Sequence, residues 1–442
     1  MIWRFVRVLA LFGIVGGAGA LLVYESRNRA GNSAGSMLTM VSQIYTPGVV
    51  RPDGSRPLHE LADVAGKWEG LVNQRWRKKQ KGYSEPWQLR FLTVPALGPS
   101  AESWTLTRLL SRTAPEFMSA QLTPDFQQHA KDWYVDMTPY LDQPNPYVAG
   151  NAHWRDLFYP AALAQWRNPY DGRLYCVPLD EVEVTVFYNL RLLKRCGIPA
   201  SAIPPADWQQ FIELQKRIKA AGVIPFLMPA AEPVHVRWAY QILTDMSYDE
   251  LYQKVRSAGP PTEGDAISYP EMIRAFKDGI LSPNDPRYLE SWRIIKEWSR
   301  YWQPGYLGSN DPNAFARGNA AMTLEGSWYV ATLENDSDRD FDYAVYPLPR
   351  LTQATSRFAD GAPARGVGGA AAVQLAITRE SVEHKGAVRA CVDFLMFLTT
   401  PKNLGPVVAE ADSFLPAVQG AATSPKLRFM LPALKIGNVR FP

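Results

Sequence analysis

The strongest constraint on how this chain can fold is its alternation of short apolar runs with amphipathic helical stretches. Residues 37–45 (MLTMVSQIY) are closed by Thr46-Pro47-Gly48 and read as a buried strand followed by a turn. Residues 58–76 follow as a helix, with Leu61, Val64, Ala65, Trp68 and Val72 on one face. Residues 87–94 (WQLRFLTV) are a second strand, 101–112 a second helix capped by Ser100, and 116–120 a third strand leading into 125–133. Strands separated by helices of this length need crossover connections, so their sheet is mainly parallel with helices on both faces. Ligands of such sheets sit at the carboxyl ends of strands, which places Tyr45, Thr46 and Gln121 at a candidate site.

The second half repeats these signals in another order. Strands are expected at 174–178, 184–189, 223–228, 320–324 and 343–346, with a small-residue strand at 368–376; helices are expected at 208–221, 235–251, 288–302 and 382–398, the last interrupted at Thr399, Thr400 and Pro401. No solenoid-type repeat is present. A length of 442 residues suits two or three units, or two lobes threaded by one chain.

Composition narrows the function. With 46% hydrophobic and 20% charged residues the chain lies outside the regime of disorder. A net charge of +4 is too small and too scattered for a nucleic-acid surface. Its sign is local: residues 1–29 carry +3, the run 75–81 (RWRKKQK) carries +5, and the remainder is at −4. The basic run reads as a solvated loop, or as a patch facing anionic headgroups. Lys426, Arg428, Lys435 and Arg440 make a basic tail after the last acid, Asp412.

Arg4 and Arg7 precede an uncharged run at 8–24 (VLALFGIVGGAGALLVY), the pattern of an export segment. Ala18, Gly19 and Ala20 offer a cleavage site, while residues 21–24 extend the run toward the roughly 17–25 residues that span a bilayer. Retention as an anchor is the favoured version, with residues 26–36 as a flexible tether. No cysteine near the end of the run suits a lipid anchor. Cys176, Cys196 and Cys391 and the five histidines show no metal spacing, so neither metal nor cofactor is expected. Cys391 reads as a buried thiol in a helix, and a Cys176–Cys196 disulfide stays open for an exported chain.

Eight local patterns occur in fixed order: PEFMSA at Pro115, DMTPYLD at Asp136, LYCVPLDEVEVTVFYN at Leu174, PADWQQFIELQKRIKAAGV at Pro205, FARGNAAMTLEGSW at Phe315, GVGGAAAVQLAI at Gly366, AVRACVDFLMFLTTPKN at Ala387 and SFLPAV at Ser413. Each is weak alone. In this order they resemble the extracellular solute-binding proteins of family 1, the sugar-type receptors of ATP-driven importers, over residues 37–418. The resemblance implies an α/β, two-lobed periplasmic-binding-protein fold of type II, each lobe a mainly parallel sheet flanked by helices. Residues 1–36 would be the export signal or anchor plus tether, 37–182 with 374–420 the N-lobe, and 183–373 with 421–442 the C-lobe. Hinge crossings are implied near 181–186, 368–374 and 416–422. The implied partners are a sugar or polyol and the permease subunits of an importer, with the chain a monomer at the outer face of the cytoplasmic membrane or in the periplasm.

A pyranose has an apolar face and a hydroxyl edge, so its site needs aromatic planes and strong hydrogen-bond acceptors. The resemblance places Trp328, in GSWY, over the sugar. Trp238, Tyr45 and Trp104 are further aromatic candidates, each with core packing as its alternative. Asp180, Glu181 and Glu183 stand where the family has polar ligand contacts; strand alternation points Glu181 and Glu183 to one face, and three acids in an apolar setting must be solvated or paired. Arg365 is the pairing cation or a ligand donor, Gln121 a further polar candidate, and Gly369, with Gly366 and Gly368, a hinge or close-packing glycine. A glycoside hydrolase also uses paired carboxylates, but acids adjacent on one strand approach a substrate from one side, and no nucleophile elbow or phosphate loop accompanies them. A tethered sugar-binding sensor module shares the fold and differs only in its partner.

Overall fold

The computed structural model describes residues 37–48, 57–80, 85–93, 99–120, 124–231, 233–259, 267–308, 313–366, 373–383, 386–432, 434 and 439–440. The export segment and tether, Gln121, Gly368 and Gly369 lie outside these residues. Among the described residues no helix is long and apolar enough to cross a membrane.

The strands, in chain order, are β1 (Met37–Met40), β2 (Gln88–Phe91), β3 (Phe117–Ser119), β4 (Val177–Pro178), β5 (Asp180–Glu181), β6 (Val184–Asn189), β7 (Met322–Gly326), β8 (Tyr343–Tyr346), β9 (Gln374–Ile377) and β10 (Leu415–Pro416). The first sheet runs β2-β1-β3-β9-β4. β1 lies parallel to β2 and to β3, with the helices Glu60–Arg77 and Pro99–Leu110 as the crossovers between them. β9 joins β3 and β4 antiparallel, because it arrives from the far half of the chain. The apolar face foreseen for the first helix is buried, and Trp68 meets Phe394 of the helix Val388–Leu398 edge-on at 5.2 Å.

The second sheet is antiparallel, with β6 central between β7 and β8. Residues 223–228 make isolated parallel bridges, Ile224 to Ala320 and Leu227 to Thr323, where a full strand was expected. Behind the sheet lie the helices Trp208–Ala220, capped by Asp207, Pro233–Ser247 and Pro286–Trp298. Trp208, Phe211, Phe226 and Trp298 form a packed aromatic cluster there, with Trp298 and Phe226 at 4.7 Å. These tryptophans are core.

Two departures have local causes. The run 37–45 leaves the sheet after Met40 and winds into a 3-10 turn at Gln43–Tyr45, where Ser42 and Thr46 share a side-chain hydrogen bond of 3.3 Å. The interruption at Thr399–Pro401 is a helix start: Thr400 accepts from the Asn403 backbone N–H, and Pro401 opens the helix Pro401–Ala411. Cys391 is buried in its helix. All three cysteines are free, so the Cys176–Cys196 bridge left open by the sequence is not formed: Cys176 belongs to the first core and Cys196 packs on the second.

One large apolar core surrounds the first sheet, and a second, with a third layer on its other face, surrounds the second sheet. The chain changes core between Val182 and Val184, between Ala364 and Val373, and between Val418 and Leu427.

The basic tail ends in a buried clamp. Arg440, 2% exposed, donates from its backbone N–H and Nε to Asp245 Oδ1 at 2.9 and 3.1 Å, and from Nη1 to Asp249 Oδ1 at 2.5 Å; its guanidinium lies 4.2 Å from the Tyr252 ring centre. The Val439 N–H donates to the Gly366 carbonyl, tying the tail to a crossing segment. Removing one partner of a buried ion pair strands the other charge, so Arg440→Ala is expected to lower stability by about 3 kcal/mol. Urea denaturation checks this, and an unchanged midpoint would show the pair to be energetically neutral.

Candidate ligand-binding site

The candidate residues separate into a fastening at the chain crossings and an aromatic corner. At the fastening, the Tyr45 hydroxyl donates to Asp180 Oδ2 at 2.5 Å, and the Val373 N–H donates to Asp180 Oδ1 at 3.2 Å. Tyr45 and Asp180 are both buried. Burial, together with the Asp180 carboxylate, holds the Tyr45 phenol well above its ordinary range. Asp180 thus joins the turn after β1, the strand β5 and the approach to β9.

Glu181 and Glu183 do not share a strand face, because β5 ends at Glu181 and β6 begins at Val184. Glu181 Oε1 accepts from Gln165 Nε2 at 2.5 Å, while burial, with Asp180 and Glu183 nearby, keeps its carboxyl well above the usual range. Glu183 turns the other way, toward Gly366. A Cβ at Gly366 would stand 2.5 Å from Glu183 Oε2, so only glycine admits the carboxyl there. Burial pushes the Glu183 carboxyl up to about 8. Arg365 borders the same small void as Glu183, but its guanidinium faces Asp245 Oδ2 at 3.6 Å. The pairing cation foreseen for the three acids therefore serves the buried Asp245 instead.

The aromatic corner stands between the two halves. Trp328 follows β7, is half-buried, and packs against both the first core and the third layer. Its indole lies where a side chain at Gly326 would go, so the glycine lets the ring fold back onto the strand. Next to it, the Ser327 hydroxyl donates to the Ser413 carbonyl at 2.9 Å. Trp238, from the helix Pro233–Ser247, meets Trp328 at 5.7 Å with the ring planes 59° apart. Two indoles at that angle form a corner that suits a ring with an apolar face.

Two residues here were not singled out from the sequence. His235 packs edge-on against Trp238 at 4.8 Å, and its Nε2 lies 2.9 Å from Glu325 Oε1. Each precedes its tryptophan by three residues: His235 at helical spacing before Trp238, and Glu325 in LEGSW before Trp328. That spacing was the signal available. Trp104 lies elsewhere, packing on the first core with the Arg108 guanidinium 5.2 Å from its ring centre. Among the described residues, ligating groups close enough to share one ion are His59, Glu60 and Asp63. They sit at a helix start where Glu410 accepts from the His59 and Glu60 backbone N–H groups.

Comparison with known proteins follows this geometry. Residues 98–430 match the family described as bacterial extracellular solute-binding protein. The multiple sugar-binding protein of Streptococcus mutans is 24% identical over 258 residues, 57% of this chain and 53% of that protein. An sn-glycerol-3-phosphate-binding periplasmic protein of Brucella abortus is 23% identical over 194 residues, 43% of this chain and 40% of its own length. The chain thus spans about half or less of these curated relatives. Among solved structures, a family 1 extracellular solute-binding protein from Bifidobacterium longum subsp. infantis superposes with a TM-score of 0.59 at 16% identity, covering 93% of this chain and 89% of that one. The apo-form of RafE from Streptococcus pneumoniae gives 0.58 at 16% identity, covering 93% and 88%. These likenesses establish the two-lobed α/β fold.

The Glu183 environment has a consequence for stability. Its carboxyl ionises near 4.5 in the unfolded chain but stays protonated to about pH 8 when folded, so between those values the unfolded state binds fewer protons. The stability it contributes is fully present below about pH 4.5 and is lost as pH rises toward 8. Glu183→Gln is expected to flatten that decline and to be the more stable form at pH 8 by on the order of 3 kcal/mol. Thermal unfolding of both forms from pH 5 to 8 checks it; parallel curves would refute the buried protonated carboxyl.

Proposed function

The chain belongs to the bacterial extracellular solute-binding proteins, and we propose that it captures a neutral sugar or related polyol between two bodies and presents it to the permease of an ATP-driven importer. The bodies are residues 37–182 with 374–420 and residues 183–373 with 421–442, hinged where the chain changes core. Closure buries the ligand from both sides, and the closed form is what a permease distinguishes from the open one. The observation that carries this reading is Trp328: half-buried, in contact with both halves, and set at an angle to Trp238.

The charge around that corner favours a neutral ligand. Glu325, bonded to His235, stands beside it, and Arg365 is committed to Asp245. A phosphate ester would meet a carboxylate there, whereas sugar hydroxyls would donate to it. The name of the streptococcal relative and the raffinose complex of RafE point the same way. Asp180, Glu181 and Glu183 serve in this reading as hinge groups; lying on one crossing, they do not flank a bond from two sides as a hydrolase pair must. Gln121, just after β3, and Gly369, in the crossing between Gly366 and Val373, are retained as cleft residues. The apolar run 8–24 would hold the receptor, as a monomer, at the outer face of the membrane. Arg77, Lys78 and Lys79, exposed at the end of the helix Glu60–Arg77, would face the headgroups.

Titration calorimetry against D-glucose, D-galactose, maltose, raffinose and sn-glycerol 3-phosphate tests the reading. At least one sugar is expected to bind and the phosphate ester to fail. Trp328→Ala is expected to weaken the best sugar about 30-fold, roughly 2 kcal/mol. Binding of the phosphate ester alone would overturn the sugar reading, and undiminished affinity in the variant would return Trp328 to packing.

A further inference from the structure

We infer that Glu325, held in place by His235, is the hydroxyl acceptor that fixes which sugar, and which edge of it, the tryptophan corner takes; this rests on the sugar-binding reading above. Glu325 lies on β7 directly opposite Thr185 of β6, one residue before the glycine that admits the Trp328 ring. Its Oε1 is engaged by His235 Nε2 at 2.9 Å, and its Oε2 takes no bond from a described residue. The side chain is 14% exposed, enough to be reached while largely shielded from water. A carboxylate in that setting is a strong, directional acceptor.

The surroundings point to a ligand. His235 Nδ1 is buried without a partner among the described residues. The residue is more than nine-tenths buried. Buried polar atoms left unpaired in this way are uncommon and mark places where another polar group belongs. A polyol supplies both donors and acceptors, and so suits a carboxylate oxygen and an imidazole nitrogen; a purely apolar ligand answers neither.

His235 acts as a positioning residue. Edge-on packing against Trp238 fixes its ring plane, and its bond to Oε1 then fixes the rotation of the carboxylate relative to the indoles. The histidine thereby couples the stacking element to the hydrogen-bonding element. Without it, the Glu325 carboxyl loses its direction.

The test uses the full chain and the tightest binder among D-glucose, D-galactose, maltose and raffinose, together with single-deoxy analogues of that sugar. Glu325→Gln is expected to raise Kd at least tenfold with Tm little changed. One deoxy analogue, lacking the hydroxyl read by Glu325, should bind the parent protein weakly and suffer no further loss in Glu325→Gln. His235→Leu should weaken binding comparably, and His235→Gln, whose amide nitrogen reaches the place of Nε2, should restore most of it. If the parent protein binds none of the four sugars, the sugar reading falls and this inference with it. If a sugar binds the parent and both Glu325→Gln and His235→Leu within twofold, the inference alone is overturned. It is equally overturned if the variants weaken every analogue to the same extent, since a distorted strand would do that without reading any one hydroxyl.

Discussion

The hydrogen bond from Tyr45 to Asp180 is the interaction on which the arrangement of the molecule turns. A chain that passes three times between two apolar cores must pair its polar groups at each passage, because little water is there to do so. Asp180 does this for segments far apart in sequence: it takes the phenol that follows β1 on one oxygen and the backbone N–H that precedes β9 on the other. β5, on which it stands, pairs antiparallel with β10, so the last return of the chain is registered against the same point. Hydrogen bonds are directional where apolar contacts are not, and a fastening made of them sets angles as well as proximity.

The corner inherits its precision from this arrangement. Trp328 stands at the end of β7, whose register is set by β6, the strand that begins one residue after Glu183. Trp238 and His235 come from one helix and Glu325 from the neighbouring strand, so the stacking and hydrogen-bonding groups are carried by regular elements of one body. The other body meets them through the contact of Trp328 with its core and the bond from Ser327 to Ser413. In the proposed closure, relative movement of the two bodies would act on the corner through these contacts.

Much of this was legible in the sequence, and the remainder was hidden for definite reasons. Helical periodicity located Leu61, Val64, Ala65, Trp68 and Val72 because an amphipathic helix writes its buried face in its spacing. Trp328 stood out because its motif resembles a family pattern. The pairing of Tyr45 with Asp180 was not legible, since the partners lie 135 residues apart and each alone reads as a candidate ligand contact. Strand alternation misplaced Glu181 and Glu183 on one face because it assumes an unbroken strand, whereas the chain changes sheets between them. Arg365, beside a predicted hinge, reads as a pairing cation for the three acids or as a ligand donor; the helix Pro233–Ser247 brings Asp245 to it instead. Gly366 reads as a hinge or close-packing glycine and Gly326 carries no signal of its own; each proves to be a seat for a large or charged side chain.

The same arrangement explains why the mildly acidic body found by separating the net charge by segment does not repel its own cleft. Two carboxyls at the first crossing are buried: burial pushes Glu183 up to about 8 and holds Glu181 well above the usual carboxyl range. A carboxyl that keeps its proton offers a donor as well as an acceptor and adds no field across the gap between the bodies. Asp245 is neutralised by Arg440 and Arg365. Beside the tryptophans stands the Glu325 carboxylate, bonded to His235. A mildly acidic body thus presents a directed acceptor at the tryptophan corner, an electrostatic profile that admits hydroxyl-bearing solutes and disfavours anions.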